Sequence, residues 1–415
     1  MNLEKSNYKR RLLFVNRSYW PDAEATGQLL TDLCESLTDR FSVSVLCGQP
    51  ISNPAKSAFI RIGTEERNGV QINRLKHTQF NKRRSVGRIA NLISFTLSVR
   101  RWLSKSKRFD IIISETDPFL LPIVVAPYAK RVDAAYIAYL QDIYPDIAIR
   151  LGKAKDGWMT RWIRNQLRKA YHQANYIVVL SPKMKDVLRG WGLCADKVQV
   201  IPNWVNCSSV KPMKSNNPFR FRNGWDGCFV VMHSGNMGLS QKLDTLIQAV
   251  DQPSFPKDAR LALVGGGADE NRLLALAAKS SRASDIKFFP YQPREKLSES
   301  LSAADVHVIS VDPRIDGTMM PSKLYGILAS ATPVVAIAAP SSDVARIVVE
   351  NNIGVVAQCH DPATIASAIL SVFTLSMQDR ESMQNRARKL AEDEYDKRTC
   401  VEKFAALLES IAPSS

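Results

Sequence analysis

Pro321, Ser322 and Lys323 stand side by side in the segment S-V-D-P-R-I-D-G-T-M-M-P-S-K-L-Y-G-I-L-A-S-A-T-P-V-V, residues 310–335. The pattern predicts the end of a strand, a loop, a short helix and a second strand from Pro333. Proline fits the first turn of a helix, serine can cap it, and the free N–H groups there attract a phosphate. A lysine in that turn is mildly unfavourable unless an anion binds beside it. We therefore predict a phosphate or diphosphate site, with a solvated lysine on a structural helix as the alternative.

Two glycine-rich loops follow predicted strands in the same half of the chain. The segment M-H-S-G-N-M-G-L-S-Q-K-L-D places Gly235 and Asn236 after a strand and Lys242 at the start of the next helix. Such a loop brings backbone N–H groups close to an anion, and Lys242 can reach a phosphate. The segment V-G-G-G-A-D-E places Gly266 in a further turn, for which a tight entry into a helix is the alternative role. Neither loop has the G-x-G-x-x-G or G-x-x-x-x-G-K-[ST] spacing of the dinucleotide and P-loop motifs.

The first half of the chain carries two candidate groups for a second substrate. Gly27 lies in S-Y-W-P-D-A-E-A-T-G-Q-L-L, where a glycine allows the backbone to approach a phosphate or a sugar, although a plain turn residue is equally compatible. Asp142 follows a buried strand in A-Y-L-Q-D-I-Y-P-D, at the edge where α/β active sites lie. Its carboxylate can bind a sugar hydroxyl or accept a proton from it, with capping of the next turn as the alternative. Asp146 is expected to be structural.

Histidine and cysteine spacing gives no sign of a metal site. The five histidines are isolated, and the seven cysteines form no C-x-x-C pair. Neither a zinc site nor a Ser-His-Asp triad can be assembled from such spacing. His233 and His307 fall inside predicted strands, and we expect them to be buried core residues. We therefore predict that the protein uses no metal and no cofactor.

Apolar runs of strand length alternate with helical segments along almost the whole chain. Continuous rather than alternating hydrophobicity indicates parallel strands covered on both faces, and the alternation with helices indicates doubly wound α/β domains. The pattern lapses in a polar stretch before it restarts at Phe229. We predict an α/β fold of two Rossmann-like doubly wound domains that face each other across a cleft. The predicted parts are a first domain (1–205), a linker (206–227), a second domain (228–378) and a C-terminal helix (379–415).

Basic residues are concentrated in two segments of a chain whose net charge is +16. No acidic residue lies between Glu66 and Asp110. Tryptophan and isoleucine are interspersed with basic residues in 82–108 and 150–169, which favours contact with an anionic membrane surface. Core helices with basic outer faces are the alternative. No uncharged apolar run reaches about 18 residues, so no spanning helix is expected. The aromatic residues form no stacking platform, so nucleic acid is not an expected partner.

These motifs together resemble the GT-B glycosyltransferases, specifically the family-4 enzymes of bacterial polysaccharide synthesis in the colanic-acid and O-antigen branch. The matching segments run in the family's order over nearly the whole chain. They are Y-W-P-D-A-E-A-T-G, L-Q-D-I-Y-P, Y-I-V-V-L-S-P, V-I-P-N-W-V, S-G-N-M-G, L-V-G-G-G, A-A-D-V-H-V and P-S-K-L-Y-G-I-L-A-S-A-T-P-V-V.

The resemblance implies that the second domain binds a UDP- or GDP-linked sugar and transfers a hexosyl, N-acetylhexosaminyl or fucosyl group. Lys323 and the N–H groups of Ser322 to Leu324 would hold the diphosphate, and Asp316 would stand in for one of two family glutamates. In this family, retention is explained by attack from the face of the leaving diphosphate, whose growing charge is stabilised by fixed donors. The predicted donor-site residues are Gly235, Asn236, Lys242, Gly266, Asp316, Pro321, Ser322, Lys323 and Leu324.

The resemblance also places the acceptor in the first domain, near Gly27 and Asp142, and returns the C-terminal helix to that domain. With Lys323, Asp142 is a predicted catalytic residue. A polyprenyl-diphosphate-linked or glycan acceptor would account for both the basic segments and the absence of a spanning helix. We therefore expect a cytoplasmic protein that associates peripherally with the inner face of the plasma membrane and acts in exopolysaccharide or O-antigen synthesis.

Five positions depart from the family pattern. Thr318 and Gly326 stand where many relatives carry a pair of glutamates, and Gln141 stands where the family usually has a histidine. Asn236 and Gln241 stand where relatives carry an arginine and a lysine, with Lys242 one place displaced. Two alternative functions therefore stay open. One is a non-catalytic GT-B partner subunit that binds a lipid-linked glycan. The other is a sugar-nucleotide epimerase of the same fold, which needs acid–base carboxylates and histidines that this chain has in small number.

Overall fold

The computed structural model describes residues 9–22, 24–50, 62–80, 85–358 and 361–412. Contacts between residues divide the chain into two compact units. The first unit comprises Met1–Pro202 together with Val401–Ser415, and the second comprises Asn203–Cys400. Each unit is a mainly parallel sheet with helices, which confirms the predicted α/β class.

The first unit contains an eight-stranded sheet in the order β3-β4-β2-β1-β5-β6-β7-β8. All neighbouring strands are parallel except the edge pair β3–β4, which is antiparallel. The central strand β5 has the sequence I-I-I-S and is buried along its whole length, as a strand covered on both faces must be. The strands are β1 (Arg11–Val15), β2 (Ser42–Cys47), β3 (Gly63–Arg67), β4 (Val70–Arg74), β5 (Ile111–Ser114), β6 (Ala135–Tyr139), β7 (Tyr176–Val179) and β8 (Val198–Val200).

In the described residues, six helices precede the end of this sheet in the chain. The first begins two residues before Gly27, and the fifth has a buried stripe that includes Leu167 and Tyr171. The helices are α1 (Ala25–Ser36), α2 (Ser85–Leu103), α3 (Leu121–Arg131), α4 (Asp146–Arg150), α5 (Trp158–His172) and α6 (Pro182–Gly190). Both α2 and α5 pack against α3, so these three helices form one layer of the unit.

The second unit contains a six-stranded, entirely parallel sheet in the order β11-β10-β9-β12-β13-β14. Strand β9 lies in the interior of the sheet between β10 and β12, so the loops that follow these three strands open at one edge. The strands are β9 (Phe229–Asn236), β10 (Ala259–Gly266), β11 (Ile286–Phe289), β12 (Val306–Ser310), β13 (Val334–Ile337) and β14 (Gly354–Ala357).

The helices of the second unit connect these strands and enclose its core. They are α7 (Pro218–Arg222), α8 (Leu243–Ala249), α9 (Glu270–Ala277), α10 (Leu297–Ser302), α11 (Lys323–Ala329), α12 (Asp343–Glu350), α13 (Pro362–Phe373) and α14 (Met377–Glu394). A last helix, α15 (Lys397–Glu409), follows after a short break, so the predicted C-terminal helix is two helices. The ring of Phe404 on α15 packs against Phe14 and Tyr139 of the first unit's core, with ring centroids 6.3 and 5.3 Å apart.

The segment predicted as a linker, 206–227, is part of the second unit. It contains α7, which begins after Asn217, whose side chain accepts hydrogen bonds from two backbone N–H groups of the helix. Phe219 and Trp225 are buried, and the ring of Trp225 meets the ring of Phe289 edge-on at 5.5 Å. The sequence predicted a linker here because these two large side chains are isolated in a polar stretch that shows no helical or strand periodicity.

We predict that Trp225→Ala will lower the free energy of unfolding of the second unit by about 3–5 kcal/mol, because it empties a packed core position. The measurement is urea unfolding of the full chain followed by far-ultraviolet circular dichroism. Phe221→Ala is the matched control: Phe221 is 77% exposed in the same segment, so its loss should change stability by about 0.5 kcal/mol or less. Equal effects of the two substitutions would contradict the assignment of this segment to the core.

Candidate active site

The carboxyl edge of the second unit's sheet is formed by two glycine-rich loops whose backbones touch. Strands β9 and β10 pair in register through to their ends, where Gly235 faces Gly265. Gly235 has φ +126° and Gly265 has φ +135°, a region that favours glycine. A Cβ on Gly265 would collide with the carbonyl oxygen of Gly235. The glycines therefore allow an approach of the two loops that other residues would prevent.

Lys323 lies directly above this glycine edge. Its Nζ is 3.1 Å from Nε2 of His233 on β9, and a Cβ added to Gly235 would lie 3.2 Å from the same Nζ. No carboxylate in the described part of the chain forms an ion pair with this ammonium group. Burial lowers the pKa of Lys323 from its usual value to about 7. The charged form of Lys323 is therefore disfavoured in the free protein, and an anion beside it would favour that form.

The start of α11 differs in two details from the predicted phosphate cradle. Ser322 is exposed, has a helical backbone conformation and forms no capping hydrogen bond through its side chain. The N–H of Leu324 already donates to the carbonyl oxygen of Pro321 at 3.2 Å, and the Leu324 side chain is buried. The short turn before the helix satisfies that N–H internally, so of the predicted cradle the Lys323 ammonium group is the part that stays a candidate for binding an anion.

A second cation and two carboxylates lie in the neighbouring loops. Lys242 directly precedes α8 in a left-handed conformation, with φ +43°. Burial of Asp312 opposes its ionisation, but hydrogen bonds from Arg314 and the charges of Lys242 and Arg314 keep its pKa below the usual value. Arg314 and Asp312 form an ion pair of 2.6 Å. Asp316, at the end of the same turn, is half-buried and has interactions of its own.

The loops after β9 and β10 are joined by hydrogen bonds to Gly266. The carbonyl oxygen of Gly266 accepts hydrogen bonds from the N–H of Met237 at 2.9 Å and from the hydroxyl of Tyr291 at 3.1 Å. Asn236 is exposed at the end of β9, and a Cβ on Gly267 would lie against its side-chain oxygen. The structure thus gives Gly266 a role in joining the two loops and leaves Asn236 open at the edge.

The first unit has its own cluster of charged groups at the carboxyl edge of its sheet. Arg17 follows β1, and its Nη2 lies 2.6 Å from Glu24 and 2.7 Å from Asp117, which follows β5. The backbone N–H of Arg17 also donates to the carbonyl oxygen of Asp117. Arg17 therefore ties the loops after β1 and β5 together and forms ion pairs with both carboxylates.

Asp142 lies after β6 at the same edge and is half-buried. Burial, with a smaller contribution from Asp117, raises the pKa of Asp142 to about 6. Two residues further on, the ring of Tyr144 stacks on that of Phe119 with centroids 4.7 Å apart. Asp146, in contrast, forms an ion pair with Arg164 at 3.1 Å, which agrees with the structural role expected for it. A carboxyl group with a pKa near neutrality can accept and return a proton.

Gly27 lies in the first turn of α1 and is buried. A Cβ at this position would come within 2.4 Å of Oγ of Ser18, and its carbonyl oxygen accepts a hydrogen bond from the hydroxyl of Thr31. A residue with a side chain would not fit at this position, because the start of α1 packs closely on the loop after β1. Whether an acceptor also lies against it stays a prediction.

Two protein families match the chain, one in each half. Residues 26–209 match the glycosyltransferase family 4, and residues 216–390 match the glycosyl transferases group 1. The chain belongs to the glycosyltransferases of these families. The match confirms the resemblance seen in the sequence motifs, and it accounts for two α/β units in one chain.

The chain is similar to two bacterial proteins described as glycosyltransferases and to a protein crystallised with UDP. A probable glycosyltransferase WbjE of Pseudomonas aeruginosa is 25% identical over 345 residues, which cover 82% of this chain and 84% of WbjE. A putative colanic acid biosynthesis glycosyl transferase, WcaI of Escherichia coli strain K12, is 25% identical over 284 residues, covering 66% and 68%. The fold is also similar to the crystal structure of Anabaena HepE in complex with UDP, with a TM-score of 0.72 and 16% sequence identity. The superposition covers 97% of this chain and 100% of the HepE chain. The fold is therefore that of GT-B glycosyltransferases.

The two positions that lack the family's glutamates differ in how closely they are packed in this glycosyltransferase. Thr318 is fully buried, and its hydroxyl donates to the carbonyl oxygen of Ile315 in the same turn. Gly326 is half-buried, and a Cβ there would lie 3.3 Å from the side chain of Leu301. A longer side chain would therefore disturb the packing at position 318 and would require Leu301 to shift at position 326.

Sequence reasoning missed three groups that the glycosyltransferase places at these edges. His233, expected to be a core histidine, is buried but contacts Lys323. Glu115 follows β5, and burial raises its pKa to about 8; its Oε1 accepts a hydrogen bond from Gln141 at 3.4 Å. Glu115 comes directly after β5, and Arg17 comes two residues after β1. Asp142 was selected because it follows a buried strand, and the same criterion would have selected these two residues. The contact of His233 depends on a distant helix and left no signal in the local pattern.

Within the described ranges, no group of three or more His, Cys, Asp or Glu side chains is placed to hold a metal ion. In the same ranges no helix has the length and apolar character needed to cross a bilayer. That the reaction needs no cofactor stays a prediction.

We predict that Asp142→Asn will abolish sugar transfer but raise the stability of the first unit at about pH 8 by on the order of 1–3 kcal/mol. The carboxyl pKa is raised in the folded state, so the ionised form destabilises the fold above pH 6 and this penalty disappears as the pH falls towards 4. The measurement is urea unfolding across this pH range.

Asp146→Asn is the control for that experiment, because it breaks the ion pair with Arg164 instead of removing an unfavourable charge. It should reduce stability by less than about 1 kcal/mol. A stabilisation by Asp142→Asn that did not depend on pH would show that ionisation of Asp142 is not its cause.

Proposed function

We propose that this glycosyltransferase moves a sugar from a UDP- or GDP-sugar, with retention of configuration, to a lipid-linked or glycan acceptor of a cell-surface polysaccharide. The observation that carries the donor part is the position of Lys323. Its ammonium group lies over the Gly235 backbone, between loops of the parallel sheet, without a carboxylate partner in the described residues. The carboxyl edge of a parallel sheet is where α/β proteins bind nucleotides.

A diphosphate is the ligand class that best fits this position. Burial disfavours the charged form of Lys323, and an anion beside it restores the proton because opposite charges stabilise each other. Lys242 offers a second cation from the loop after β9. The similarity to HepE, which was crystallised with UDP, supports a nucleotide in the second unit. UDP and GDP both stay candidates, since the groups named here contact phosphate and not a base.

The same cation also suits the chemistry of transfer. When the bond between the sugar and the diphosphate breaks, negative charge grows on the departing phosphate, and a fixed donor there stabilises the transition state. We assign this role to Lys323 and assign the acceptor hydroxyl to the neighbourhood of Asp142 in the first unit. With its pKa raised to about 6, Asp142 is largely ionised at neutral pH and can still accept a proton.

We expect the purified protein to be stabilised by one nucleotide family in a thermal-shift screen of UDP, GDP, ADP and their common sugars. At a hundredfold excess over its dissociation constant, the ligand should add about 2.7 kcal/mol of apparent stability. Lys323→Ala should weaken this shift and lower the rate of transfer by about a hundredfold, as the loss of one such donor commonly does.

Lys279→Ala is the control for Lys323→Ala, because Lys279 is an exposed lysine of the same unit. An unchanged transfer rate in Lys323→Ala would remove Lys323 from the mechanism. A folded protein that no nucleotide stabilises would favour the alternative of a non-catalytic partner subunit that binds a lipid-linked glycan.

The acceptor part of the proposal includes a membrane surface formed by α2 and α5, the outer helices of the layer around α3. Helix α2 exposes a stripe of apolar residues at helical spacing, and α5 exposes three more in its first two turns. We call these residues the apolar surface: Val86, Ile89, Ile93, Leu97, Trp158, Met159 and Trp162. Phe95 and Val99 of α2 face the other way and belong to the core. Residues 82–84 of the predicted segment lie outside the described residues.

Exposed basic side chains accompany the apolar surface. Arg100 and Arg101 end α2, while Arg161, Arg168 and Lys169 line the outer face of α5. Of the acidic residues nearby, Asp156 is close enough to Arg161 to pair with it, at 3.5 Å. Tryptophan beside exposed cations fits the interface of an anionic bilayer, where each cation contributes about 1 kcal/mol. The colanic acid relative WcaI supports an acceptor of the cell-envelope type.

We predict that the protein will sediment with vesicles that contain phosphatidylglycerol but not with pure phosphatidylcholine vesicles. Binding should weaken with added salt because screening reduces the attraction of exposed charges. The double substitution Trp158→Ala and Trp162→Ala should reduce vesicle binding by about tenfold, since two interfacial side chains are lost.

Phe221→Ala is the control, because it removes an equally exposed aromatic side chain from the second unit. Loss of binding in this control, or retention in the double variant, would contradict the assignment of the apolar surface to the membrane.

A further inference from the structure

His233 is fully buried on β9, next to the glycine loop of the donor site. Its Nε2 lies 3.1 Å from Nζ of Lys323 and 3.4 Å from the carbonyl oxygen of Asn236, and its Nδ1 is buried without a hydrogen-bond partner. A buried imidazole ordinarily has a partner in the core. The imidazole of His233 instead contacts Lys323 at 3.1 Å, and burial disfavours the charged form of that lysine.

The direction of this hydrogen bond follows from the protonation states. Burial, and then the charge of Lys323, lower the pKa of His233 well below its usual value, so the imidazole is neutral. A neutral imidazole whose proton is on Nδ1 presents Nε2 as an acceptor, and an ammonium group can only donate. The charged form of Lys323 therefore donates to His233. Neutral Lys323 loses this charge-assisted hydrogen bond, which is stronger than one between neutral groups.

We propose that His233 is a positioning residue for Lys323: it holds the ammonium group over the Gly235 backbone in its charged form, ready to bind a diphosphate. The inference rests on the proposed function for its ligand, although the contact itself does not depend on it. Gly235 supplies the second part of the arrangement, since a Cβ there would press on both Nζ and Cε of Lys323. The imidazole thus fixes the end of the side chain while the glycine leaves room for it.

Other titratable groups around Lys323 do not compete for this role. His307 on β12 is buried and neutral, because burial lowers its pKa to about 3, and its Nε2 bonds the carbonyl oxygen of Leu301 at 3.0 Å. Asp312, in the loop after β12, is paired with Arg314. From β9, only His233 brings a titratable side chain within hydrogen-bonding distance of Nζ in the described structure. His307 is therefore a natural control: an equally buried histidine of the paired strand that lacks the contact.

The inference predicts a specific change in the titration of Lys323. Without an acceptor at residue 233, the buried ammonium loses its hydrogen bond, so the pKa of Lys323 should fall by about one unit below its present value of about 7. Glutamine places an amide oxygen close to the position of Nε2 and should keep the pKa near that of the unchanged protein. A purely structural histidine would affect stability but not this titration.

The experiment measures the pKa of Lys323 directly in the full chain. Lysine labelled with ¹³C at Cε is followed by NMR over a pH titration, and the Lys323 signal is assigned by its absence in Lys323→Arg. The variants are His233→Leu, His233→Gln and His307→Leu. We expect a lowered pKa in His233→Leu only. Should His233→Leu fail to fold, His233→Met takes its place, because a thioether is only a weak acceptor.

A second measurement links the contact to ligand binding, with UDP and GDP as the probes. Around pH 5.5 Lys323 is charged in all variants, so His233→Leu should bind the nucleotide as the unchanged protein does; near pH 8 it should bind about tenfold more weakly. His233→Gln and His307→Leu should show no such pH-dependent loss. The comparison is made by isothermal titration calorimetry on the same samples.

Two results would overturn the inference: an unchanged Lys323 pKa in His233→Leu, or an equal fall in His307→Leu. A lowered pKa in His233→Leu alone supports it even when neither nucleotide binds, and in that case it is the donor assignment that fails. Nucleotide binding with an unaltered pH dependence in His233→Leu would keep the proposed function and overturn the role of His233.

Discussion

The burial of the Lys323 ammonium without a carboxylate partner among the described residues is the constraint on which the second unit's site depends. Removing a cation from water is unfavourable unless other groups compensate. The protein compensates in part with a neutral acceptor, His233, and with the approach that Gly235 permits. The rest of the compensation is left to a ligand. An anion that binds there gains from an interaction that is prepared in the free protein and weakly screened by water.

The first unit uses the opposite arrangement, because its edge holds carboxyl groups in excess. Arg17 forms ion pairs with Glu24 and Asp117, while burial raises the pKa of Asp142 to about 6 and that of Glu115 to about 8. Such groups destabilise the fold at neutral pH and suit a neutral, hydroxyl-bearing ligand better than an anion. The two units therefore differ in the kind of ligand their edges can hold, and the difference follows from which side chains end the same kind of strand.

The sequence predicted those parts of the fold whose cause is local. Buried strands such as Ile111–Ser114 were visible as uninterrupted apolar runs, whereas Gly63–Arg67 has no apolar residue and becomes a strand only through its antiparallel partner. Lys323 was found from helix-start signals, although Ser322 does not cap the helix. The contact of His233 was not predictable, because it joins a strand to a helix far along the chain and leaves no periodic trace.

The two residues that replace the family's paired glutamates, Thr318 and Gly326, are each in contact with neighbouring groups. The hydroxyl of Thr318 closes a hydrogen bond within its own turn, and the helix at Gly326 lies against Leu301. A glutamate at position 318 would bring a charge into a buried turn, which is unfavourable without a partner, and one at position 326 would press on Leu301. Under the proposed function, recognition of the sugar falls to groups that remain accessible at this edge, and of these Asn236 is exposed and Asp316 is half-buried.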